Sequence, residues 1–599
     1  MKQFNRAFFH DLWGIVKPYW WSSEERRLAR VLLLAIVLLN LLMVYISYRI
    51  TEWYNTFWNA LQKYNAPEAW HQLLVFFILV TPYIIAAVYQ TWLTQMLQIR
   101  WRRWLTRKYV DAWLERGTYY QMQVLGDGTD NPDQRISQDL ATFSTQTLNL
   151  VIGVISSITT LAAFLSMLWA LSSQVAIPWH GAKVVIPGYL VWAAALYAVC
   201  GTVLTAVVGR RLIHLNFNQE RFNADFRFSL VRLRENSESI ALYRGEPQER
   251  EHLMARFANV FRNFWQIMRR TKRLNWWVSG YGQAAVIFPV LVSMPAYFAK
   301  VIQIGSIMQI SSAFGQVQGA LSFIVNSYTD LASWHAVVDR LRFFQQAMNK
   351  VNAIREEHAN IVRRDGPALS LRGVSVRLPG GRELVRDLAL DLAPGGRLLV
   401  MGASGSGKST LMRTLAGIWP FGEGTVELPE RDTVLFMPQN PYIPLGTLRE
   451  ALLYPFGDPR TTDAELIPIL ERAGLPGLSG LLKESRMWAH VLSLGEQQRL
   501  AFGRIFLQRP AWVFMDEATS AVDEPAERTL YRALIELLPH TAIVSVGHRS
   551  SLSAFHDTRL VLEGGGAWRL EAIPAAPAEG NGQGGRDSVP LTSVPTAHS

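Results

Sequence analysis

Cysteine is almost missing from this chain: Cys200 is the only one in 599 residues, and it sits inside an apolar run. A disulfide framework and a thiolate metal site are both excluded, and the redox compartment is left open. Residues 1–21 contain no apolar core followed by a small-residue cleavage site. No removable signal peptide is expected, so the first membrane span must direct targeting. Charged residues make up only 18%, against 49% hydrophobic residues and 21 Trp. A single soluble domain of this length does not have that balance, and a membrane half is implied. The net charge of +11 raises nucleic acid as a partner. The cations, however, collect in loops beside the apolar runs, where they read as membrane-orienting charge, and no nucleic-acid partner is expected.

A helix needs about 20 apolar residues to cross a bilayer core of about 30 Å. Six stretches qualify, at 28–48, 73–97, 148–171, 184–208, 277–298 and 304–324. Pro289, Pro295 and scattered Gly, Ser and Gln interrupt the last two, which is tolerated where a helix lines a bundle interior or a wet cavity. Lys and Arg crowd the N-terminal flank, the stretch after the second span and residues 210–273, while the connections 51–70, 172–183 and 299–303 carry few. Both termini are therefore expected in the cytoplasm. Segments 98–147 and 209–276 are too long for turns and are expected to continue the membrane helices into the cytosol. Phe4, Phe8, Leu12 and Val16 recur at every fourth position, with Pro18 closing the run. This predicts an amphipathic helix lying on the inner membrane surface or packed on protein.

A charged stretch at 348–367 reads as a linker between a membrane domain at 1–347 and a nucleotide-binding domain at 368–573. Strand-like runs at 368–378, 388–392 and 397–401 lead into Gly402-Ala-Ser-Gly-Ser-Gly-Lys-Ser-Thr410 and then a helix at 409–418. Strand, glycine loop and helix together are the context a P-loop requires. Gly402, Gly405 and Gly407 let the backbone wrap the phosphates of ATP, with Ser404, Ser406 and Thr410 in the same nucleotide-binding set. Lys408 supplies charge to the β and γ phosphates. Ser409 offers a hydroxyl to Mg²⁺, and Asp516, ending the apolar strand 512–515, is a second ligand. Glu517 is the candidate catalytic base, His548 contacts the γ-phosphate or holds the attacking water, and Gln439 senses Mg²⁺ and the membrane half.

Leu492-Ser-Leu-Gly-Glu-Gln497 completes an ordered set that resembles the ATP-binding cassette. The resemblance implies that Ser493 and Gly495 close on ATP bound to an opposite subunit. Leu494 stands where a glycine is usual, which predicts modest turnover, and Leu378 stands where many exporters carry an adenine-stacking Tyr. Trp53-Tyr-Asn-Thr-Phe-Trp-Asn-Ala-Leu-Gln62, Ile99-Arg-Trp-Arg-Arg-Trp-Leu-Thr106, Asn131-Pro-Asp-Gln-Arg-Ile136 and Glu235-Asn-Ser-Glu-Ser-Ile-Ala-Leu-Tyr-Arg-Gly-Glu246 resemble the SbmA/BacA-related bacterial transporters, themselves similar to the peroxisomal ABCD fatty-acyl transporters. In that family the last two motifs lie in cytoplasmic loops near the cassette. A coupling role is expected for them, against the alternative of helix caps and ion pairs.

The fold class implied is an α-helical polytopic membrane domain with six transmembrane helices, type IV exporter-like, followed by an α/β P-loop cassette. One cassette and six spans make a half-transporter, so a homodimer with two ATP sites is expected. It would sit in the bacterial inner membrane, surrounded by lipid, and use ATP and Mg²⁺ to take up peptides or other bulky polar or amphipathic molecules. Long-chain fatty acids or acyl-CoA are the alternative cargo, and an ATP-gated sensor or pore with little hydrolysis the further one. Residues 574–599 lack periodicity and read as a disordered tail.

Overall fold

The computed structural model describes residues 6–125, 131–173, 177–179, 182–184, 187–357 and 360–574. The tail read from the sequence lies outside the described residues, apart from residue 574. The chain divides into two compact units, Met1–Leu114 with Gly128–Ala347, and Glu115–Asp127 with Met348–Ser599.

In chain order the helices are α1 (Arg6–Trp21), α2 (Arg26–Gln62), α3 (Ala66–Leu114), α4 (Thr118–Val124), α5 (Pro132–Gln134) and α6 (Leu140–Ser173). A two-stranded hairpin, β1 (Ile177–Trp179) and β2 (Ala182–Val184), precedes α7 (Tyr189–Glu235), α8 (Ser237–Tyr243), α9 (Glu246–Phe298), α10 (Ile304–Asn326) and α11 (Tyr328–Glu357). Among the described residues, five helical stretches, Arg26–Gln62, Ala66–Val124, Pro132–Ser172, Tyr189–Glu235 and Glu246–Phe298, are long and apolar enough to cross a membrane. The sixth expected span is helical as α10, but its Ser, Gly and Gln content leaves it outside that group. The fourth span begins at Tyr189, because residues 182–184 are strand. As expected for segments too long to be turns, α3, α7 and α9 run 49, 47 and 53 residues without interruption.

Three of the motifs quoted above are joints between these helices. Asn59 Oδ1 and Gln62 Oε1 accept from the free backbone N–H groups of Gly305 and Ile304 at 2.9 and 3.0 Å, capping α10 with the end of α2. Asn55 Nδ2 donates to Gln309 Oε1 at 2.7 Å beside them. Trp101 is buried and stacks on Tyr19 of α1, with ring centroids 5.7 Å apart. The third motif supplies Arg135, which donates to Asp139 Oδ2 at 2.7 Å, and Arg340 of α11 grips the same carboxylate through two bonds of 2.9 and 2.7 Å. The motif thus takes part in an ion pair inside the membrane unit. Helix α1 also departs from expectation, since it continues through Pro18. Its Phe8 is buried and stacks on His335 at 4.5 Å, so the stripe packs on protein at that position, while Phe4 lies outside the described residues.

Among the described residues the second unit has a six-stranded and a four-stranded sheet, besides a short antiparallel pairing of Gly446–Thr447 with Ser485–Arg486. The six-stranded one runs β14–β13–β6–β12–β11–β8, with β13 (Thr558–Gly564), β6 (Arg397–Gly402), β12 (Ala542–Val546), β11 (Trp512–Asp516) and β8 (Val434–Met437) parallel, and β14 (Ala567–Ala572) antiparallel at the edge. The four-stranded one runs β3 (Ile361–Asp365), β7 (Gly422–Leu428), β4 (Leu369–Arg377) and β5 (Glu383–Leu392). Alternation along the parallel strands divides the core. Leu399, Val513, Met515 and Ile543 face a helical layer, while Leu398, Val400, Phe514 and Val544 face the second sheet. Both faces are covered, hence the unbroken apolar runs. Within the stretch read as a linker, α11 runs on to Glu357 and β3 covers Ile361–Asp365.

His556 sits in this core, with Nδ1 2.7 Å from the Leu552 carbonyl and Nε2 2.8 Å from Ser545 Oγ. The carbonyl can only accept, so Nδ1 donates and Nε2 accepts from the serine. Burial pushes the imidazole down from 6.5 to about 4. A depressed folded-state value means that stability is complete above pH 6.5 and is lost as pH falls toward 4, by about 3 kcal/mol in all. Thermal melts of the purified protein between pH 7 and 4 should show this slope, and His556→Gln should flatten it.

Candidate ATP site

Parallel β6, β8, β11 and β12 end on one edge of the sheet, so the loops that follow them converge in the crevice outside their carboxyl ends. After β6 comes the glycine loop, capping α12 (Lys408–Leu415). Gly407 holds φ +105°, and a Cβ there would lie 2.9 Å from Leu384 Cβ, so only glycine fits. Lys408 is buried, and its Nζ donates to the carbonyls of Gly402 and Ala403 at 2.9 and 3.0 Å. Burial lowers its pKa against the opposing pull of Glu517 and Asp516. Ser406 Oγ is buried without a hydrogen-bond partner. A buried ammonium, an orphaned hydroxyl and the N-terminus of α12 fit a triphosphate. Ser404 is exposed, and the Thr410 side chain is buried in the first turn of α12.

Ser409 Oγ donates to Asp516 Oδ1 at 3.1 Å. Burial raises the Asp516 carboxyl, and the Ser409 bond offsets part of that rise. Among the described residues no group of three His, Cys, Asp or Glu side chains gathers as a metal site. An ion here would rest on this hydroxyl and carboxylate, the Gln439 amide, water and phosphate oxygens, a donor set that suits Mg²⁺.

Glu517 follows with φ +49°, a strained conformation for a non-glycine residue. Its backbone N–H is fixed to Val546 O at 3.1 Å. Its carboxylate accepts from Gln439 Nε2 at 2.9 Å and lies 3.3 Å from His548 Nε2. Residues from three loops thus converge on one carboxylate beside Ser409 and Asp516.

Ser493 is the N-cap of α16 (Leu494–Gln508), in a capping box with Glu496. Its Oγ and N–H donate to Glu496 Oε2 at 2.8 and 2.9 Å, bonds that hold the Glu496 carboxyl below the usual range. Gly495 is the tight position: a Cβ there would lie 2.8 Å from the Ala521 carbonyl. Leu494 is exposed at the first helical position. Leu494→Gly should therefore raise ATPase turnover by opening this face, at a cost of about 1 kcal/mol in helix stability. A coupled-enzyme assay and a melt on the same preparation check both.

Three residues missed in the sequence organise the site. Gln498 is fully buried; its Nε2 donates to Gln439 O at 2.9 Å and Ser520 Oγ at 3.1 Å, and its Oε1 accepts from Ala521 N at 3.0 Å. It locks α16 to the loops bearing Gln439 and Glu517. Glu527, in α17 (Glu524–Leu537), accepts from Thr519 Oγ1 and Ser551 Oγ, each at 2.7 Å. Arg549 donates to the Val522 and Ser520 carbonyls at 2.7 and 3.1 Å, tying the segment after Glu517 to that after His548. The run Gln497-Gln498 was visible, but only burial tells which glutamine faces inward. Residues 115–127 were missed as well. Of these, 115–125 are described and belong with this unit, where Arg355 Nη2 donates to Arg116 O and Gln121 Oε1 at 2.9 and 3.0 Å and Val124 and Leu125 pack on its core.

Two family models match: ABC transporter transmembrane region 2 over residues 15–298, and ABC transporter over residues 385–520. An uncharacterized ABC transporter ATP-binding protein of Haemophilus influenzae is 37% identical over 93% of this chain and 94% of its own length. The chain belongs to the ABC transporters. The inner membrane ABC transporter ATP-binding protein YddA of Escherichia coli is 32% identical over 89% of this chain and 94% of its own. ABC transporter D family member 2, chloroplastic, of Arabidopsis thaliana is 31% identical over 95% and 89%. A bacterial Atm1-family ABC exporter with ATP bound shares the fold, with a TM-score of 0.65 over 91% of this chain and 94% of that one at 17% identity. This ABC transporter is thus a multi-pass membrane half-transporter of exporter fold, related to the D family, with an ATPase that serves transport.

Proposed function

We propose that this ABC transporter works as a homodimer in the bacterial inner membrane, taking up peptides or other bulky polar or amphipathic molecules at the expense of ATP. The observation that carries the ATP half is the convergence of Gln439 and His548 on Glu517 beside Ser409 and Asp516. Glu517 takes a proton from the attacking water, His548 and Gln439 orient that water, and Lys408 with the loop N–H groups holds the phosphates. Mg²⁺ held by Ser409, Asp516 and Gln439 would neutralise phosphate charge. The exposed Ser493 cap supports dimerisation, since its helix N-terminus is an anion site that a second copy's ATP would fill.

Coupling is assigned to α8, which lies within the Glu235–Glu246 motif. Helix α8 has no buried residue, and it ends in exposed Leu242 and Tyr243 before Arg244 turns the chain at φ +53°. Exposed apolar side chains at a helix tip fit docking on a partner's cassette. Replacing both Leu242 and Tyr243 by Ser should leave basal ATPase intact while ATP-driven release of peptide from proteoliposomes with cassettes outward falls at least about tenfold. Proportionate loss of both activities, or loss of neither, would remove α8 from the coupling path.

A further inference from the structure

The membrane unit contains a cavity of about 560 Å³ between α2, α3 and α6. Among the described residues lining it, nine of twelve carry an amide or hydroxyl, and none is Asp, Glu, Lys, Arg or His. Gln90 and Gln98 mark its length on α3, a rise of about 12 Å at 1.5 Å per residue. They are the last turns before Arg100, so the cavity lies in the half of the span next to the Arg-rich end. So many polar groups cannot face hydrocarbon without partners.

One of them has an atom without a partner. Asn40 is 4% exposed, lines the cavity from α2, and its Oδ1 is buried with no hydrogen-bond partner. Leaving such an acceptor unmatched is costly, and native interiors rarely do so without a functional reason. The Gln98 amide donates to Asn149 Oδ1 at 3.2 Å, which uses one of its two donors and leaves its carbonyl to accept.

We infer that this cavity is a ligand site for an uncharged, amide-bearing segment of the transported molecule. The inference rests on the transport reading above and gives it a location. A secondary amide offers one N–H and one C=O, which Asn and Gln side chains match in pairs. An acyl chain would strand these groups, and a carboxylate or phosphate would find no cation among the lining residues named. The volume is that of a small-molecule pocket, enough for a few residues of chain.

The test uses the full dimer in lipid nanodiscs. With Cys200→Ser as background, Ser156→Cys places the only thiol in the cavity, where a small neutral maleimide reports access. An end-blocked, uncharged tripeptide should slow labelling at least about fivefold. Gln95→Leu should weaken that protection about tenfold or more, and Gln95→Asn, which keeps the amide, should restore most of it. The site is overturned if the peptide gives no protection, if Gln95→Leu protects like the parent, or if palmitate or a neutral trisaccharide protects in the peptide's place. A thiol that never reacts would mean that a second copy covers this face, and also overturns it. ATP-driven transport with no protection at Ser156→Cys overturns the site alone. Protection without any ATP-driven movement overturns the transport reading and leaves the site.

Discussion

Glu517→Gln should abolish ATP hydrolysis while nucleotide still binds. The amide keeps the shape of the side chain and can still bond Gln439, which approaches Glu517 Oε2 at 2.9 Å, but it cannot take a proton from water. Turnover should fall at least about a hundredfold, as general-base removal does elsewhere. Lys408, Ser406 and the N-terminus of α12 are untouched, so affinity for ATP should stay within about threefold. The product of binding without hydrolysis is a cassette-closed dimer, visible as a shift in size-exclusion elution with ATP. Near wild-type phosphate release from the variant would remove Glu517 from the role of base.

Asp139→Ala should destabilise the membrane unit by about 3 kcal/mol, because it removes the buried carboxylate that the Arg135 and Arg340 guanidinium groups share. Arg135 is almost fully buried, whereas Arg340 is partly exposed and recovers some hydration. The loss should therefore sit at the low end for a broken buried pair. Thermal unfolding of the purified dimer measures it, with Arg340→Ala as the milder companion. Transport per folded molecule should be unchanged. A coupling defect with normal stability would instead support the coupling role expected of the Asn131–Ile136 motif.

That motif shows what could be read in advance and what could not. The ATP site was legible because its chemistry needs fixed residue types in a fixed order, and the parallel strands β6, β8, β11 and β12 need unbroken apolar runs that announce themselves. The long helices were legible for a similar reason, since nothing breaks them. Tertiary partners were not. That Asp139 meets Arg340, 201 positions away, or that Asn59 and Gln62 cap α10 across more than 240 positions, leaves no local trace. Gln498 and Glu527 escaped for the complementary reason: a buried polar residue on a helix looks like an exposed one until the surrounding layers are known. Pro18 misled because a proline near a helix end can be accommodated when the flanking aromatics are anchored, as Tyr19 and Trp20 are on Trp101.

ATP-driven movement of substrate by the purified homodimer is the most direct test of the account. Proteoliposomes carrying the protein with cassettes outward would be loaded with the end-blocked tripeptide, and its appearance in the external medium followed with and without Mg-ATP. The account predicts release that requires ATP, falls to background with Glu517→Gln, and saturates with peptide concentration. Release that is equal without ATP, or undiminished by Glu517→Gln, would contradict it.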